Sequence, residues 1–227
     1  SARQRFYIRS YNKVLAYNSD FPTKYWDASI STQSWVHYGL CVDSRGYIHT
    51  PSAYYPYVYV LDTTGSSAGQ YDAPGPDGGM IGIEYDGQYI YLCTSEGVKK
   101  YDEDGTLMGT VLSSGAGAAY IAAFHDGSGF AVGEGYEVVV YDASWVEQCR
   151  FGEQGSGDGQ FNGLQGIAVD SGKSIYVSDG GNSGNYRIQK FTTGGVSELP
   201  TVDTFSINNG GSSTTSRTVS LNNSCSG

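Results

Sequence analysis

Residues 151–191 read FGEQGSGDGQFNGLQGIAVDSGKSIYVSDGGNSGNYRIQKF. A glycine-rich run leads to Phe161, and Gly166-Ile167-Ala168-Val169-Asp170 is an apolar stretch closed by an aspartate. A turn containing Gly172 leads into Ile175-Tyr176-Val177, and Arg187-Ile188-Gln189 opens a third apolar stretch ending at Phe191. Short β-branched and aromatic runs punctuated by Gly, Asp and Asn are the signature of antiparallel strands joined by tight turns.

Working outward, the same pattern recurs upstream. Gly39-Leu40-Cys41-Val42-Asp43, Gly82-Ile83-Glu84-Tyr85-Asp86 and Ala122-Ala123-Phe124-His125-Asp126 match the strand at 166–170, with Asp spacings of 43, 40 and 44. A glycine follows each Asp within three residues (Gly46, Gly87, Gly127, Gly172), where a hairpin turn calls for positive φ. Third strands carry a β-branched residue three positions before a large apolar one: Val14 and Tyr17, Val58 and Leu61, Val98 and Tyr101, Val138 and Tyr141, Ile188 and Phe191. An odd separation puts the two side chains on opposite faces, so both faces of each sheet are expected to be covered. A repeat near 40 residues with sheets covered on both sides implies an all-β propeller of four-stranded blades. Fourth, outer strands are expected near Thr106-Leu107-Met108 and Gln148-Cys149-Arg150-Phe151.

Residues 151–191 closely resemble an NHL repeat, with Leu164 standing where that family usually has Pro. The other blades resemble it more weakly, and the resemblance spans roughly residues 5–199. Five blades are counted, with six left open. The first has three strands, Arg5 to Ser10, Val14 to Asn18 and one near Phe21, and needs an innermost strand from elsewhere. Residues 1–200 therefore form the propeller, and 201–227 a separate strand or hairpin.

That last segment has two readings. Residues 203–225 are similar to the opening hairpin of an immunoglobulin-like domain of large bacterial surface proteins, with Phe205 to Asn208 pairing Thr218 to Asn222. Thr204 to Gly210 also mimics Gly166 to Gly172, which suits closure of the first blade by pairing with residues 5–10. Closure is favoured over exchange between subunits, the route to self-assembly through this segment.

The formal net charge of −10, with 13 scattered Lys and Arg, leaves no basic stripe for nucleic acid. No apolar stretch approaches the length of a transmembrane span, and no leader pattern is present. Cys41, Cys93, Cys149 and Cys225 contain no C-x-x-C pair, which argues against a structural zinc site and leaves disulfide pairing open. Few lysines, abundant Ser, Thr, Gly and Tyr, and the sequon at Asn222-Asn223-Ser224 point to an extracellular or cell-surface location.

Loops entering each first strand, and those joining second to third strands, should emerge on one side of the blades. They would collect Tyr25, Trp26, Trp35, His37, Tyr38, Tyr54, Tyr55 and Tyr57, with Tyr120 at the equivalent entry in a later blade. Rigid amphipathic rings at this density suit stacking on sugars or anchoring a protein partner, although many such rings simply fill gaps between blades. Some propellers similar to the NHL type are lyases holding a metal on a ring of histidines at the starts of innermost strands. Here only His37 occupies such a position, its counterparts being Met80, Tyr120 and Leu164, while His49 and His125 fall elsewhere. Asp102 to Gly105 and Asp179 to Asn185 are acidic, yet turn chemistry explains them before Ca²⁺ does. The expectation is a non-catalytic module binding protein or glycan, or building a surface assembly, with no metal or cofactor. The alternative is a lyase or hydrolase acting in the central channel.

Overall fold

The computed structural model describes residues 5–10, 12–20, 22–30, 39–52, 55–73, 82–113, 117–180 and 185–192, and the backbone of 201–206 and 218–220. Its regular elements are all strands, arranged as five antiparallel sheets in chain order. Sheet A contains β1 (Arg5–Ser10), β2 (Lys13–Asn18) and β3 (Lys24–Ser29). Sheet B contains β4 (Cys41–Val42), β5 (Ile48–Pro51), β6 (Tyr57–Leu61) and β7 (Ser67–Asp72). Sheet C contains β8 (Ile83–Tyr85), β9 (Ile90–Thr94), β10 (Gly97–Tyr101) and β11 (Leu107–Ser113). Sheet D contains β12 (Ala118–Ala123), β13 (Gly129–Glu134), β14 (Glu137–Asp142) and β15 (Glu147–Phe151). Sheet E runs β16 (Leu164–Val169), β17 (Ile175–Asp179), β18 (Arg187–Thr192), β19 (Thr201–Ser206) and β20 (Thr218–Ser220). Sheets A to C form one compact unit, 1–113, and sheets D and E a second, 114–227. The recurrent strands β4, β8, β12 and β16 each lie at the edge of sheets B to E, as the innermost strand of a propeller blade must.

Aspartates at the ends of first and third strands build turns. In five hairpins, starting at Asp43, Asp62, Asp102, Asp142 and Asp170, the aspartate Oδ1 accepts the amides two and four residues on, at 2.8 to 3.0 Å. The fourth residue of each turn is left-handed: Gly46, Gly65 and Gly105, but also Trp145 and Lys173. The expectation of a left-handed Gly172 fails, because the five-residue geometry puts Lys173 (φ 65°) at that position. One side chain per turn thus satisfies two amides that the strand ladder leaves over.

The paired faces then stack in a fixed order. Val14, Ala28 and Ile30 of sheet A and its following loop pack on Ile48 and Leu61 of sheet B. On its opposite face, Cys41 and Val58 pack on Ile83, Ile90, Leu92 and Tyr101 of sheet C. Within the second unit, Val138, Val140 and Phe151 of sheet D pack on Ile175, Val177 and Phe191 of sheet E. In each case the β-branched face of one sheet seats on the large-residue face of the next. Aromatics from outer strands complete these contacts. A Cβ on Gly65 would lie 2.7 Å from the Trp26 ring, and one on Gly105 2.3 Å from the Tyr71 ring, so each ring lies flat on the next sheet's turn.

Sheet E owes its local order to a polar clamp. Asp179, with no exposed side chain, accepts the amides of Asn162 (2.8 Å) and Gly163 (3.1 Å) on one oxygen. Its other oxygen accepts Asn185 Nδ2 (2.8 Å) and Arg187 Nε (3.2 Å). Arg187 in turn donates to the carbonyls of Ser156, Gly157 and Gln160, and buried Gln189 bonds the Gly159 amide and the Gln160 carbonyl. The glycine-rich run is therefore held by three side chains from β17 and β18.

The structure places the C-terminal segment otherwise than by blade closure. Strand β19 pairs with β18, Arg187 opposite Ser206 through Thr192 opposite Thr201, and β20 pairs with β19. In β20, Thr218 to Ser220 lie opposite Asp203 to Thr201, not opposite Phe205 to Asn208, and the two strands extend the last sheet. The physical reason is proximity: β18 would otherwise be an open edge, and the next strand in sequence reaches it at the least loop-closure cost. Sheet A stays three-stranded, with its third strand at Lys24–Ser29. Phe21 lies outside the described residues.

Candidate binding site

Between β5 and β6, Ser52, Tyr55 and Pro56 are hydrogen-bonded to one another or their neighbours and to the residue after β7. Ser52 Oγ accepts the Tyr55 amide (3.1 Å), the Ser52 amide donates to the Tyr57 carbonyl (3.0 Å), and the Ala73 amide at the end of β7 donates to the Pro56 carbonyl (2.7 Å). On this base Tyr55 stacks on Tyr57 with centroids 5.3 Å apart and planes within 5°. Tyr57 meets Tyr59 edge to face at 5.0 Å, and their hydroxyls are 3.1 Å apart. Of the three rings Tyr55 is the most exposed, at 49%. Beside it Pro56, Asp72, Ala73, Gly105 and Leu107 line a groove of about 610 Å³, with the Asp72 carboxylate exposed at its edge.

Of the residues expected here, Tyr55 and Tyr57 come together, and Tyr59, one strand step further, joins them unannounced by the sequence. Trp35, His37, Tyr38 and Tyr54 lie outside the described residues. Trp26 does not belong to this ledge. It lies on β3, tilts against Tyr7 and donates its Nε1–H to the Thr63 carbonyl at 3.1 Å, so its ring covers the sheet B turn. Tyr25, its neighbour, is half exposed beneath the Arg5 guanidinium. Tyr120 sits on β12, where burial pushes its hydroxyl pKa up and its ring packs against the sheet D and E core.

Two of the three histidines, His49 and His125, lie within the described residues. His49 is fully buried, its Nε2 3.2 Å from Asp43 Oδ2, and burial lowers its pKa although the Asp43 hydrogen bond opposes this. Its Nδ1 has no hydrogen-bond partner. In sheets C and E the corresponding second-strand positions are Tyr91 and Tyr176, whose hydroxyls bond Asp86 and Asp170 at 2.9 and 3.0 Å. His49 is thus the imidazole version of a recurrent strut. His125 lies 3.1 Å from the Val169 carbonyl. Among the described residues no three His, Cys, Asp or Glu are grouped to hold a metal. The acidic turn is engaged internally: Arg45 bridges Asp43 and Asp104, and hydrogen bonds from Ser44 and Tyr85 hold the Glu103 carboxyl at about 2. Both Asp179 oxygens are likewise committed to the clamp. Cys41, Cys93 and Cys149 are buried, while Cys225 lies outside the described residues.

The NHL repeat family model matches residues 161–191, the segment that supplies Asp179, Arg187 and Gln189 of the clamp. No curated protein matches the chain. Among solved structures, that of a streptogramin B lyase is similar at 16% identity and a TM-score of 0.62, covering 92% of this chain and 67% of that one. At that identity the likeness concerns the fold, which is an all-β propeller.

Proposed function

We propose that the chain is a non-catalytic binding module displayed outside the cell, and that the Tyr55, Tyr57 and Tyr59 ledge receives a neutral oligosaccharide. The observation that carries this reading is the half-exposed Tyr55 ring stacked on Tyr57. Sugar C–H faces stack on such rings, and the neighbouring Asp72 carboxylate is an acceptor for hydroxyl groups. A formal charge of −10 disfavours polyanionic ligands, so neutral glycans are the class that fits. Titration of the full chain against a panel of neutral and anionic oligosaccharides tests it. Tyr55→Ala is expected to weaken binding at least tenfold without lowering stability, because the ring is half exposed. Unchanged affinity in that variant, or no binding to any neutral glycan, overturns the reading.

A second reading, a lyase or hydrolase sited in the channel, draws its support from the fold likeness to a streptogramin B lyase. Its discriminating measurement is the metal content of the purified chain, since a stoichiometric, tightly held transition metal would favour it over the binding module.

A further inference from the structure

Two exposed tyrosines occupy the same place in sheets D and E. Tyr136 directly precedes β14, where Glu137 lies opposite Glu134, and Tyr186 directly precedes β18, where Arg187 lies opposite Asp179. They are 41% and 64% exposed, Tyr186 being the most exposed large hydrophobic side chain among the described residues. The glycine-rich run that joins β15 to β16 touches the backbone beside both. A Cβ on Gly152 would lie 2.8 Å from the Tyr136 carbonyl oxygen. The Gly155 and Ser156 carbonyls accept Asn185 Nδ2 (3.1 Å) and Arg187 Nη1 (3.0 Å), the residues on either side of Tyr186. From Gly152 to Gly155 the chain spans at most about 10 Å, so the two tyrosines border one short stretch, in which Glu153, Gln154, Ser156 and Gly157 are exposed.

Tyr186 is also held against its own preference, with φ at 38°. Among the described residues Trp145 and Lys173 are the other non-glycines with positive φ, and both fill the fourth position of an aspartate turn, whereas Tyr186 belongs to no such turn. It is caught between Asn185 and Arg187, which both donate to Asp179 Oδ2. A bulky residue is strained there and a glycine is not, so an exposed tyrosine kept at this position points to use of its ring. We propose that Tyr136 and Tyr186 form a second binding site, which takes a neutral oligosaccharide laid along residues 153–157. The rings offer stacking faces, and Gln154 and Ser156 offer donors and acceptors for hydroxyl groups. The neighbouring arginines are engaged, Arg150 by Glu137 and Glu147 and Arg187 by Asp179 and three carbonyls, so an anionic ligand would have to displace these bonds. One Glu153 oxygen accepts Gln160 Nε2 at 2.7 Å, which works against a basic peptide in the same way. The ligand class rests on the reading of the Tyr55 ledge, but the two sites share no residue.

Calorimetric titration of the full chain with cellohexaose, xylohexaose and mannohexaose reads both sites. Tyr186→Gly is expected to weaken one binding event at least tenfold while leaving the urea midpoint unchanged or raising it, because the strain goes with the ring. Tyr136→Ala should weaken the same event, Tyr186→Phe should retain it, and Tyr55→Ala should leave it intact. Loss of all binding in Tyr55→Ala would overturn the second site and leave the ledge reading standing. A single event that depends on Tyr186 and ignores Tyr55→Ala would support the second site and sink the ledge reading. Binding untouched by Tyr186→Gly, a Tyr186→Gly chain less stable than the natural one, or no binding to any of the three sugars overturns the proposal. So does a preference of the Tyr186 site for oligolysine or for oligogalacturonate over all three.

Discussion

Replacing Asp179 by alanine should unravel the glycine-rich run, and the cost follows from what the carboxylate holds. The substitution strands the Arg187 guanidinium, whose side chain is only 8% exposed, and breaking a buried charge pair from one side costs about 3 to 5 kcal/mol. It also frees the amides of Asn162 and Gly163, with hydrogen bonds to charged acceptors worth about 1.5 to 3 kcal/mol each. These effects share one carboxylate and do not add, so about 4 kcal/mol is expected for Asp179→Ala. Arg187→Met, which removes the charge while retaining most of the apolar stem, should cost about half as much. The double variant should be less destabilised than the sum by about 2 kcal/mol, because the orphaned charge is then gone. Urea unfolding with unchanged m-value measures all three, and amide exchange at Asn162 and Gly163 localises the loss to this segment. A cost below about 1 kcal/mol for Asp179→Ala, or strict additivity in the cycle, would refute the clamp as the element that orders residues 152–163.

Two further outcomes follow from buried polar groups. Tyr71 and Tyr101 each bury a hydroxyl that has no hydrogen-bond partner, and Tyr71→Phe should therefore leave stability unchanged or raise it by about 1 kcal/mol; a clear loss in thermal or urea unfolding would mean that the hydroxyl is satisfied after all. Burial pushes the Glu84 carboxyl up from 4.5 to about 7, so the folded state holds this proton more tightly than the unfolded chain. Its stabilising effect is complete below about pH 4.5 and is lost as pH rises through 7, a change of about 3 kcal/mol. The stability difference between the natural chain and Glu84→Gln, measured at pH 5 and pH 8, should shift by that order, and a difference independent of pH would contradict it.

The repeats were legible because each blade states its first strand and turn in a few residues: an apolar run, an aspartate, and a left-handed position close behind. Outer strands were less so. Strand β7 is mostly exposed, and the pairings of β3, β7, β11 and β15 contain register shifts, so their sequences carry neither clean alternation nor a buried run. This is why Trp26 reads as a loop aromatic when it is an outer-strand ring covering Gly65. The available signal was the pairing of an outer-strand aromatic with a glycine in the following blade's turn, Trp26 with Gly65 and Tyr71 with Gly105. Tyr55 and Tyr57 were recognisable from their loop position, whereas Tyr59 was hidden because strand alternation assigns it to a covered face. The C-terminal strand departs from its expected edge for a different reason. Its likeness to Gly166 to Gly172 is local, but which edge it joins is decided by the unpaired β18 beside it.

The five aspartate turns share one hydrogen-bond diagram although their sequences, DSRGY, DTTGS, DEDGT, DASWV and DSGKS, have only the aspartate in common. Their boundary conditions are also the same, two antiparallel strand ends bridged between the aspartate and the fifth residue. Each is therefore a cassette that fixes the same backbone through its aspartate, except that the fourth position must stay glycine at 65 and 105, where the Trp26 and Tyr71 rings leave no room for a Cβ. The second and third turn positions can consequently vary without disturbing the aspartate hydrogen bonds that join the strand ends, whereas the fourth is tied to the packing of one sheet on the next.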